Sequence, residues 1–491
     1  MVRLICQVSE LVLQMHRLSR ELTSKRLVLM VVKDQLGMAT EDLEVFLRDD
    51  SGINAKPLEG FEEMDPRLRI FHNTHRDLHG LLSGVSLDDM AARFVATLSE
   101  RLQVSTEVLE ARGGGWTELP DLYAFLRDQM FFSAATALCG DYLFRVNPDF
   151  GREFWEFDSY IMTYFRRLPR WLTPQPYAVR DRVLASMKRW RNHAAEQYEV
   201  RSVEQTKEQW EPIWGTKLMR SRELMFQEAG VSVDARSSSD LGLVWAANAN
   251  TIPATLWALL TVFLTPGLEE RVLAETSVCY NGERQAFDID ALCSKPLLTS
   301  IYLEALRYSV SATAARSPIV PSIELGEWKF HRGSTIISSS WYGGRDPTFW
   351  NSGRVLPSGE PEHPLDSIWP ERFLEYPDDP ATGPVRNPDE SVYRTAERKP
   401  RTIDDDKNAK VVTAGTQGHF YPYGGGSKIC PGRFFAKKEM MSAVAVFLRE
   451  FEIEFVDREV AVKAKPEMSY FPIGVLPPNR AIPVRIRRRK P

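Results

Sequence analysis

The chain has 491 residues, of which 43% are hydrophobic and 26% are charged, and its formal net charge is −4. This is the composition of an ordinary globular protein with a large core. The near balance of charge gives no indication of a nucleic acid as partner. The five cysteines are scattered without a close pair, which argues against a disulfide framework and against structural zinc.

Residues 1–50 predict two amphipathic helices, because apolar residues recur at helical spacing through Leu11, Met15 and Leu22. The longest apolar run in this region, residues 27–32, is far shorter than the roughly 20 residues that a membrane span requires. Charged residues interrupt the stretch before it, so no signal peptide is visible.

A long buried helix is predicted in the middle of the chain. Residues 237–240 offer a good N-cap cluster, and residues 241–264 contain no charged side chain. A helix that is apolar on every side is buried. Asn248 and Asn250 in its middle argue against a membrane span, and residues 265–267 end it.

The C-terminal half combines helices with short strands. Residues 327–331 and 334–340 predict the two strands of a hairpin. Residues 351–419 are long, polar and proline-rich, which indicates an irregular surface meander with an insertion. Residues 451–455 alternate like a strand, and residues 485–491 form a basic tail that we interpret as solvated.

A cysteine follows a glycine-rich stretch near the C-terminus. Residues 424–426 are three glycines, which allow a tight loop close to a flat ligand. Cys430 comes just before residues 433–450, a predicted helix. A thiolate at a helix N-terminus is stabilised by free N–H groups, and it is one of the few axial ligands that proteins offer to haem iron. A glycine-rich turn with a buried structural cysteine is the alternative.

The spacing around Cys430 resembles the haem-thiolate loop of the cytochromes P450. Tyr423 lies seven residues before the cysteine, Gly426 four before, Lys428 two before and Gly432 two after. The family usually has Phe and then Arg or His at the first and third of these positions. The resemblance implies that Tyr423, Gly426 and Lys428 contact haem b and that Cys430 ligates its iron.

The same resemblance implies a fold. We expect a mainly α protein with small β-sheets, a single cytochrome P450 domain over residues 1–491. The membrane anchor and the first strands of the family have no counterpart upstream of the first predicted helix. A natively short chain or an incomplete gene model would explain this, and we favour the second. The resemblance also assigns Arg316 to a haem propionate, a role that suits a guanidinium.

Residues 247–251 fall where the family places the motif that activates oxygen. Thr251 would be the hydroxyl that relays protons. Asn250 replaces the usual acid, so it orders water but releases no proton. Pro253 removes one helix hydrogen bond and opens a groove for such water. Polar residues that simply satisfy one another inside a buried helix are the alternative.

Glu304 and Arg307 lie one helical turn apart and resemble the E-x-x-R pair of the family. Arg372, within a P-E-R-F run, would complete a buried cluster of one carboxylate and two guanidinium groups. Such a cluster is costly unless it is fully paired.

Residues 249–257 and 474–478 resemble one branch of the family, the sterol 7α- and 12α-hydroxylases and prostacyclin synthase. The overall pattern also resembles fungal P450s of secondary metabolism. By this resemblance the substrate pocket is formed by the following residues: Val244, Ala247, Thr313, Phe471 and Ile473.

The resemblance implies a monooxygenase that hydroxylates or epoxidises a sterol, a terpenoid or another lipophilic metabolite with O2. Electrons would come from NADPH-cytochrome P450 reductase. The family implies the cytoplasmic side of the endoplasmic reticulum, with contact to the membrane surface. Two alternatives remain open, a haem-thiolate isomerase or dehydratase of a peroxide, which Asn250 favours and Thr251 opposes, and an inactive haem-binding relative.

Overall fold

The computed structural model describes residues 3–6, 8–105, 115–200, 205–394 and 400–490. Helices make up most of these residues, as the sequence predicts. The α-helices are α1 Ser9–Arg17, α2 Lys25–Met30, α3 Leu43–Arg48, α4 Ile70–Leu81, α5 Gly84–Val104, α6 Leu122–Cys139, α7 Tyr142–Val146, α8 Phe150–Ser159, α9 Ile161–Phe165, α10 Pro174–Gln197, α11 Lys217–Glu228, α12 Val233–Asn248, α13 Thr251–Leu264, α14 Leu268–Ser277, α15 Ile289–Cys293, α16 Pro296–Ser309, α17 Ser340–Gly343, α18 Ile403–Asn408, α19 Arg433–Glu450 and α20 Arg458–Val462.

The strands are short and form small sheets at the edge of the helical core. They are β1 Arg3–Cys6, β2 Leu22–Thr23, β3 Thr117–Leu119, β4 Trp210–Glu211, β5 Gly215–Thr216, β6 Tyr280–Asn281, β7 Ala286–Phe287, β8 Thr313–Pro318, β9 Ser322–Leu325, β10 Trp328–His331, β11 Thr335–Ser339, β12 Leu374–Glu375, β13 Lys410–Val411, β14 Phe451–Phe455 and β15 Val484–Arg488. The largest sheet has the order β1-β11-β8-β2, and a three-stranded sheet has the order β14-β15-β3.

One strand, β1, precedes α1, although we expected none of the family's first strands there. β1 runs parallel to β11, with Arg3 opposite Thr335, and β2 runs antiparallel to β8, with Leu22 opposite Pro318. Strands of four and two residues are too short to show an alternating pattern in the sequence. Their partners lie about 300 residues away along the chain, so only the folded chain reveals the pairing.

The predicted hairpin of residues 327–340 is also corrected. β10 pairs with β9, whereas β11 pairs with β8 and β1. The tight turn lies between Leu325 and Trp328, where Gly326 has a φ of 57°. Two-residue hairpin turns favour glycine at such positive φ angles, so the turn forms here.

The long apolar helix begins earlier than predicted and is broken in two. The Ser232 side chain caps α12 by accepting from the Ala235 N–H at 3.1 Å, and residues 237–240 lie inside the helix. The break falls between Asn248 and Thr251. Among the described residues, the stretch 233–264 is the one helical segment long and apolar enough to cross a membrane, and 78% of its most apolar window is buried inside the protein.

The C-terminal basic residues are not a solvated tail. Residues 484–488 form β15, paired with β14 and β3, and Arg487 and Arg488 reach Glu452 and Glu450 of the neighbouring strand and helix. Opposite charges across a strand pair stabilise the sheet modestly. Pro491 and residues 395–399 of the predicted insertion lie outside the described residues.

Candidate active site

Cys430 lies in a loop that ends at the first turn of α19. Gly424 has a φ of 70° and Gly426 has a φ of 66°, conformations that glycine adopts without strain. The N–H of Cys430 donates to the carbonyl of Tyr423 at 3.0 Å, and Arg433 Nη1 donates to the carbonyl of Cys430 at 2.9 Å. These bonds hold the thiol at the edge of a cavity that Cys430 lines.

Two of the three glycines make room for the N-terminal segment rather than for a ligand. A Cβ on Gly425 would lie 2.4 Å from Nδ1 of His16, and one on Gly426 would lie 2.5 Å from Oγ of Ser19. Gly426 does not line the cavity, whereas Gly424 does. The sequence predicted that these glycines allow a flat ligand to approach the backbone closely. The groups that do approach Gly425 and Gly426 are side chains of the N-terminal segment, about 400 residues away in the chain.

The environment of the Cys430 thiol opposes ionisation in the protein alone. Burial raises its pKa, and the N–H groups of Gly432 and Arg433 at the start of α19 offset this only in part. The expected stabilisation by the helix N-terminus is therefore present but outweighed. A bound iron ion would keep the sulfur deprotonated, because a coordinating thiol loses its proton outright.

The cavity beside Cys430 has a volume of about 520 Å³ and largely apolar walls, which include Leu82, Leu306 and Phe435. Two cations, Arg316 and Lys428, also line it. Burial, followed by the nearby guanidinium of Arg316, lowers the pKa of Lys428 to about 8. Burial likewise lowers the pKa of Arg316.

Neither cation has an anionic partner among the described residues. The side chain of Arg316 donates only to the carbonyl of its neighbour Ala315, at 3.0 Å. Buried charges are normally paired, so two unpaired cations in one cavity indicate an anionic ligand. A thiol, apolar walls and two free cations fit haem b, which Cys430 would ligate and whose carboxylates Arg316 and Lys428 would bind.

Tyr423 lines the same cavity, and its hydroxyl shares a hydrogen bond of 2.8 Å with that of Tyr302. The family usually has phenylalanine at position 423, which could not make this bond. Burial raises the pKa of both phenols far above the ordinary range, so both remain neutral donors. No signal in the sequence pointed to Tyr302, since 121 residues separate the two tyrosines.

Thr251 begins α13 and lines the cavity that contains Cys430. Its Oγ1 donates to the carbonyl of Ala247 at 3.0 Å, and Asn248 Nδ2 donates to the carbonyl of Val244 at 2.8 Å. Pro253 has no N–H for the carbonyl four residues earlier. The missing bond and the competing side-chain bonds account for the break between α12 and α13.

Asn250 has a positioning role. Its Oδ1 accepts from the backbone N–H of Val475 at 3.0 Å, and a Cβ on Gly474 would lie 2.2 Å from this oxygen. The bond joins the helix break to residues 468–478. Asn250 lines the cavity next to Thr251, but with Oδ1 already bonded it has less capacity to order water than we expected.

Glu439 was not anticipated from the sequence. It lies on α19 and is fully buried, and neither carboxylate oxygen has a hydrogen-bond partner among the described residues. Burial raises the pKa of this carboxyl to about 8, although the Thr251 side chain lies close enough to lower it. The available signal was a lone acid, nine residues after Cys430, on an otherwise apolar helix face.

Glu304, Arg307 and Arg372 form one fully buried cluster. Glu304 accepts from Arg307 at 2.7 and 2.8 Å and from Arg372 Nε at 3.1 Å. Arg307 also donates to three carbonyls of residues 344–367. Burial alone would raise the pKa of Glu304, but the two guanidinium groups outweigh it and lower that pKa.

A larger cavity of about 1120 Å³ adjoins the first, since Ala312, Thr313 and Gly474 line both. Phe471 and Ile473 line the larger cavity. Of the other predicted substrate residues, Ala247 lines the cavity beside Cys430. Val244 is completely buried and lines neither cavity.

Comparison with known proteins adds to this geometry. A family model described as cytochrome P450 matches residues 120–355 and 403–482. The chain is 34% identical over 443 residues to cytochrome P450 monooxygenase fsoE of Humicola fuscoatra, covering 88% of this chain and 73% of that protein. It is 33% identical to cytochrome P450 monooxygenase efuG of Hormonema carpetanum, covering 85% and 72%.

More distant matches are also cytochromes P450 or enzymes related to them by sequence. The cholesterol 7-alpha-monooxygenase of Cricetulus griseus is 26% identical over 260 residues, which are 50% of this chain and 43% of that protein. Among solved structures, the haem domain of a cytochrome P450DA mutant superposes with a TM-score of 0.59 at 13% identity, covering 100% of this chain and 87% of that domain. At that identity the likeness shows the fold.

Proposed function

Because this chain belongs to the cytochrome P450 family, we propose that it oxidises a sterol, a terpenoid or a similar polycyclic lipophile, with electrons from NADPH-cytochrome P450 reductase. The chain is a cytochrome P450 monooxygenase, an oxidoreductase with a haem-thiolate cofactor. It resembles both the fungal monooxygenases of secondary metabolism and the sterol hydroxylases. The proposed reaction places one atom of O2 in a C–H or C=C bond of the substrate.

The observation that carries the proposal is that Cys430, Thr251, Arg316 and Lys428 line one cavity. Haem held in this cavity would supply the reductive activation of O2. Arg316 and Lys428 would bind and orient its carboxylates. The hydroxyl of Thr251 holds a proton next to the reacting atoms, and the apolar walls exclude bulk water, as this chemistry requires.

The substrate class is proposed from the second cavity. Its volume of about 1120 Å³ is larger than that of most small-molecule pockets. Thr313 stands where the two cavities meet, and Phe471 and Ile473 supply apolar surface. A rigid polycyclic molecule gains about 25 cal/mol for each Å² of apolar surface buried there.

The reductase would approach the side of the protein on which α19 begins. Phe434 is 47% exposed and lies under the guanidinium of Arg433 at 4.1 Å. These two residues lie three and four positions after Cys430, so a partner bound here would be close in the chain to the thiolate. Basic side chains at such a surface favour an acidic partner.

Membrane contact is proposed for the segment between α9 and α10. Trp171 is 82% exposed and Leu172 is 55% exposed, and Arg166 and Arg170 precede them. Aromatic and basic residues together favour a bilayer interface. Phe165 lines the larger cavity, so a lipophilic substrate could enter from the membrane.

A peroxide isomerase or dehydratase is the second candidate. The amide of Asn250 in place of an acid favours it, and the hydroxyl of Thr251 opposes it. The two functions differ in their need for electrons. Turnover that requires NADPH, the reductase and O2 supports the monooxygenase, whereas conversion of a peroxide without them supports the isomerase.

The first experiment is the absorption spectrum of the reduced protein with carbon monoxide. We expect the band position of a thiolate-ligated haem. It should be lost in Cys430→Ala and kept in the matched control Cys279→Ala, which removes another free thiol. A thiolate spectrum that survives in Cys430→Ala would overturn the assignment. Incubation with reductase, NADPH and a panel of sterols and triterpenoids, followed by product analysis, then tests the substrate class.

A further inference from the structure

A very small cavity adjoins the break between α12 and α13. Its volume is about 20 Å³, which is enough for one water molecule. The polar side chains that line it come from several separate elements: Tyr123, Asp158, Trp245, Asn250 and Tyr470. Ala249 and Pro253 line it too. Because proline has no N–H, Pro253 cannot donate the usual helix hydrogen bond to the carbonyl of Ala249. A water here therefore has hydrogen-bond partners.

Asp158 is the one carboxylic acid among the residues that line this cavity. It lies near the C-terminal end of α8, and Trp245 Nε1 donates to its Oδ1 at 2.8 Å. Among the described residues it has no ion-pair partner within 4 Å. Burial raises the pKa of Asp158 to about 6, against the opposing effects of the Trp245 bond and the Arg127 charge.

Only a thin wall separates this cavity from the one that contains Cys430 and Thr251. Asn250, Gly474 and Val475 line both cavities. The bond from the Val475 N–H to Asn250 Oδ1 holds that wall in place. Water beside Asn250 is therefore one residue away from Thr251.

We propose that Asp158 supplies protons to Thr251 through water in the small cavity, in place of the acidic side chain that Asn250 lacks. Asp158 releases a proton to the cavity water and becomes a carboxylate. A proton then passes beside Asn250 to the Thr251 hydroxyl, which gives up its own proton to the reacting atoms and so remains neutral. Solvent then returns a proton to the half-buried Asp158, and no electron moves in these steps. Asp158 acts through Thr251, so it is a positioning residue, and the inference rests on the proposed monooxygenase function.

Glu439 is a less suitable source of protons. It is fully buried and lines none of these cavities. After losing a proton, it would have no water from which to recover one. With a pKa raised to about 8, it is also a weaker acid than Asp158.

The test measures NADPH consumption by the haem-loaded protein with excess reductase in aerated buffer, without added substrate. Reduction of O2 to hydrogen peroxide takes two electrons and two protons, so it reports proton delivery without a known substrate. We expect Asp158→Asn to slow consumption by about a hundredfold, the lower end of the usual range for a positioned acid. We also expect a larger solvent isotope effect.

The pH profile separates proton supply from a purely structural role. The rate of NADPH consumption by the parent should fall as pH rises through about 6, the pKa of Asp158. In Asp158→Asn the rate should not show this fall. The other titratable or charged groups that face Asp158 are Tyr123, Arg127 and Tyr470. Burial raises the pKa of both phenols, so neither titrates near pH 6. Asp158→Glu should recover most of the rate, and Asp149→Asn, at the exposed start of the same helix, should not change it.

A parental rate and pH profile in Asp158→Asn would overturn the inference. If the parent itself consumes no NADPH, the proposed function fails instead. The ionisation of Asp158 is then measured by infrared spectroscopy as pH is raised, in the parent and in Asp158→Asn. We expect the parent to lose a carboxylic C=O band near pH 6 and the variant to lack that band. The absence of that ionisation would overturn the assignment independently of turnover.

Discussion

Two groups of charged side chains lie within this fold, one fully buried and one partly buried, and they differ in whether their charges are paired. The cluster of Glu304, Arg307 and Arg372 satisfies its carboxylate with two guanidinium groups. Arg316 and Lys428, by contrast, line a cavity with no anionic partner among the described residues. The first group binds parts of the protein to each other, whereas the second has charge left for a ligand.

The difference teaches that burial of charge does not by itself identify a binding site. Burial is costly for any charge, and a fold normally offsets that cost with an internal partner. Where that partner is missing, the desolvation of the charge destabilises the protein without ligand, and an anionic ligand offsets this loss when it binds. Substitutions in the first group should therefore reduce stability, whereas substitutions in the second group should reduce haem retention without reducing the stability of the haem-free protein.

The largest expected effect is that of Glu304→Ala on stability. It leaves two guanidinium groups buried without a counter-ion, and loss of one partner from a buried pair costs about 3–5 kcal/mol. The free energy of unfolding from urea denaturation, or loss of soluble protein, measures this. As a control, Glu44→Ala breaks the exposed pair with Arg48, which is worth at most about 1 kcal/mol. A similarly small loss of stability in Glu304→Ala would contradict the structural role given to the paired cluster.

The second prediction concerns Arg316→Ala and Lys428→Ala. Each should weaken haem retention about tenfold or more, because a hydrogen bond to a charged group contributes about 1.5–3 kcal/mol and 1.4 kcal/mol is a factor of ten. The haem-free protein should lose no stability, since a partly buried, unpaired cation is removed. Transfer of haem to an excess acceptor protein measures the first effect, and urea denaturation of the haem-free form measures the second.

The matched control for these two variants is Lys463→Ala, because Lys463 is an exposed cation paired with Glu459. It should retain haem like the parent. If the Arg316 and Lys428 variants were destabilised without haem and yet kept haem normally, both cations would belong with the structural cluster.

The last prediction is a pH dependence from Glu439, the buried acid whose carboxylate oxygens have no hydrogen-bond partner among the described residues. Its pKa is raised from 4.5 to about 8, so the folded state binds more protons than the unfolded state between these values. Stability is therefore greatest below pH 4.5 as far as this group is concerned, and falls as pH rises towards 8, by at most about 1.4 kcal/mol per pH unit. Glu439→Gln should flatten this slope in urea denaturation between pH 5 and 8, and an unchanged slope would show that the carboxyl ionises normally.

Much of the site was predictable because its signals are local. The glycines, Cys430 and the helix of residues 433–450 follow one another directly, and the structure has this helix at the predicted bounds. The E-x-x-R pair lies on one turn of α16, so its geometry follows from helical spacing. The strand of residues 451–455 was likewise predicted with the bounds it has.

Other parts depend on segments that are far apart in the chain. β1 and β2 have too few residues to show a pattern, and they form because β11 and β8 supply their hydrogen bonds. At the break between α12 and α13, Asn250 accepts a hydrogen bond from the N–H of Val475, more than 200 residues later. The approach of Asp158 to this break depends on how α8 packs near α12 through Trp245.

By itself the amino-acid sequence determined the ligand loop, the family and the class of chemistry, because those depend on residue types at short, constant spacing. Tertiary structure alone decided which buried charges remain unpaired, which glycines admit a neighbour and which acid stands near Thr251. Charge pairing and desolvation depend on what surrounds a side chain in space, and most of those neighbours come from elsewhere in the chain.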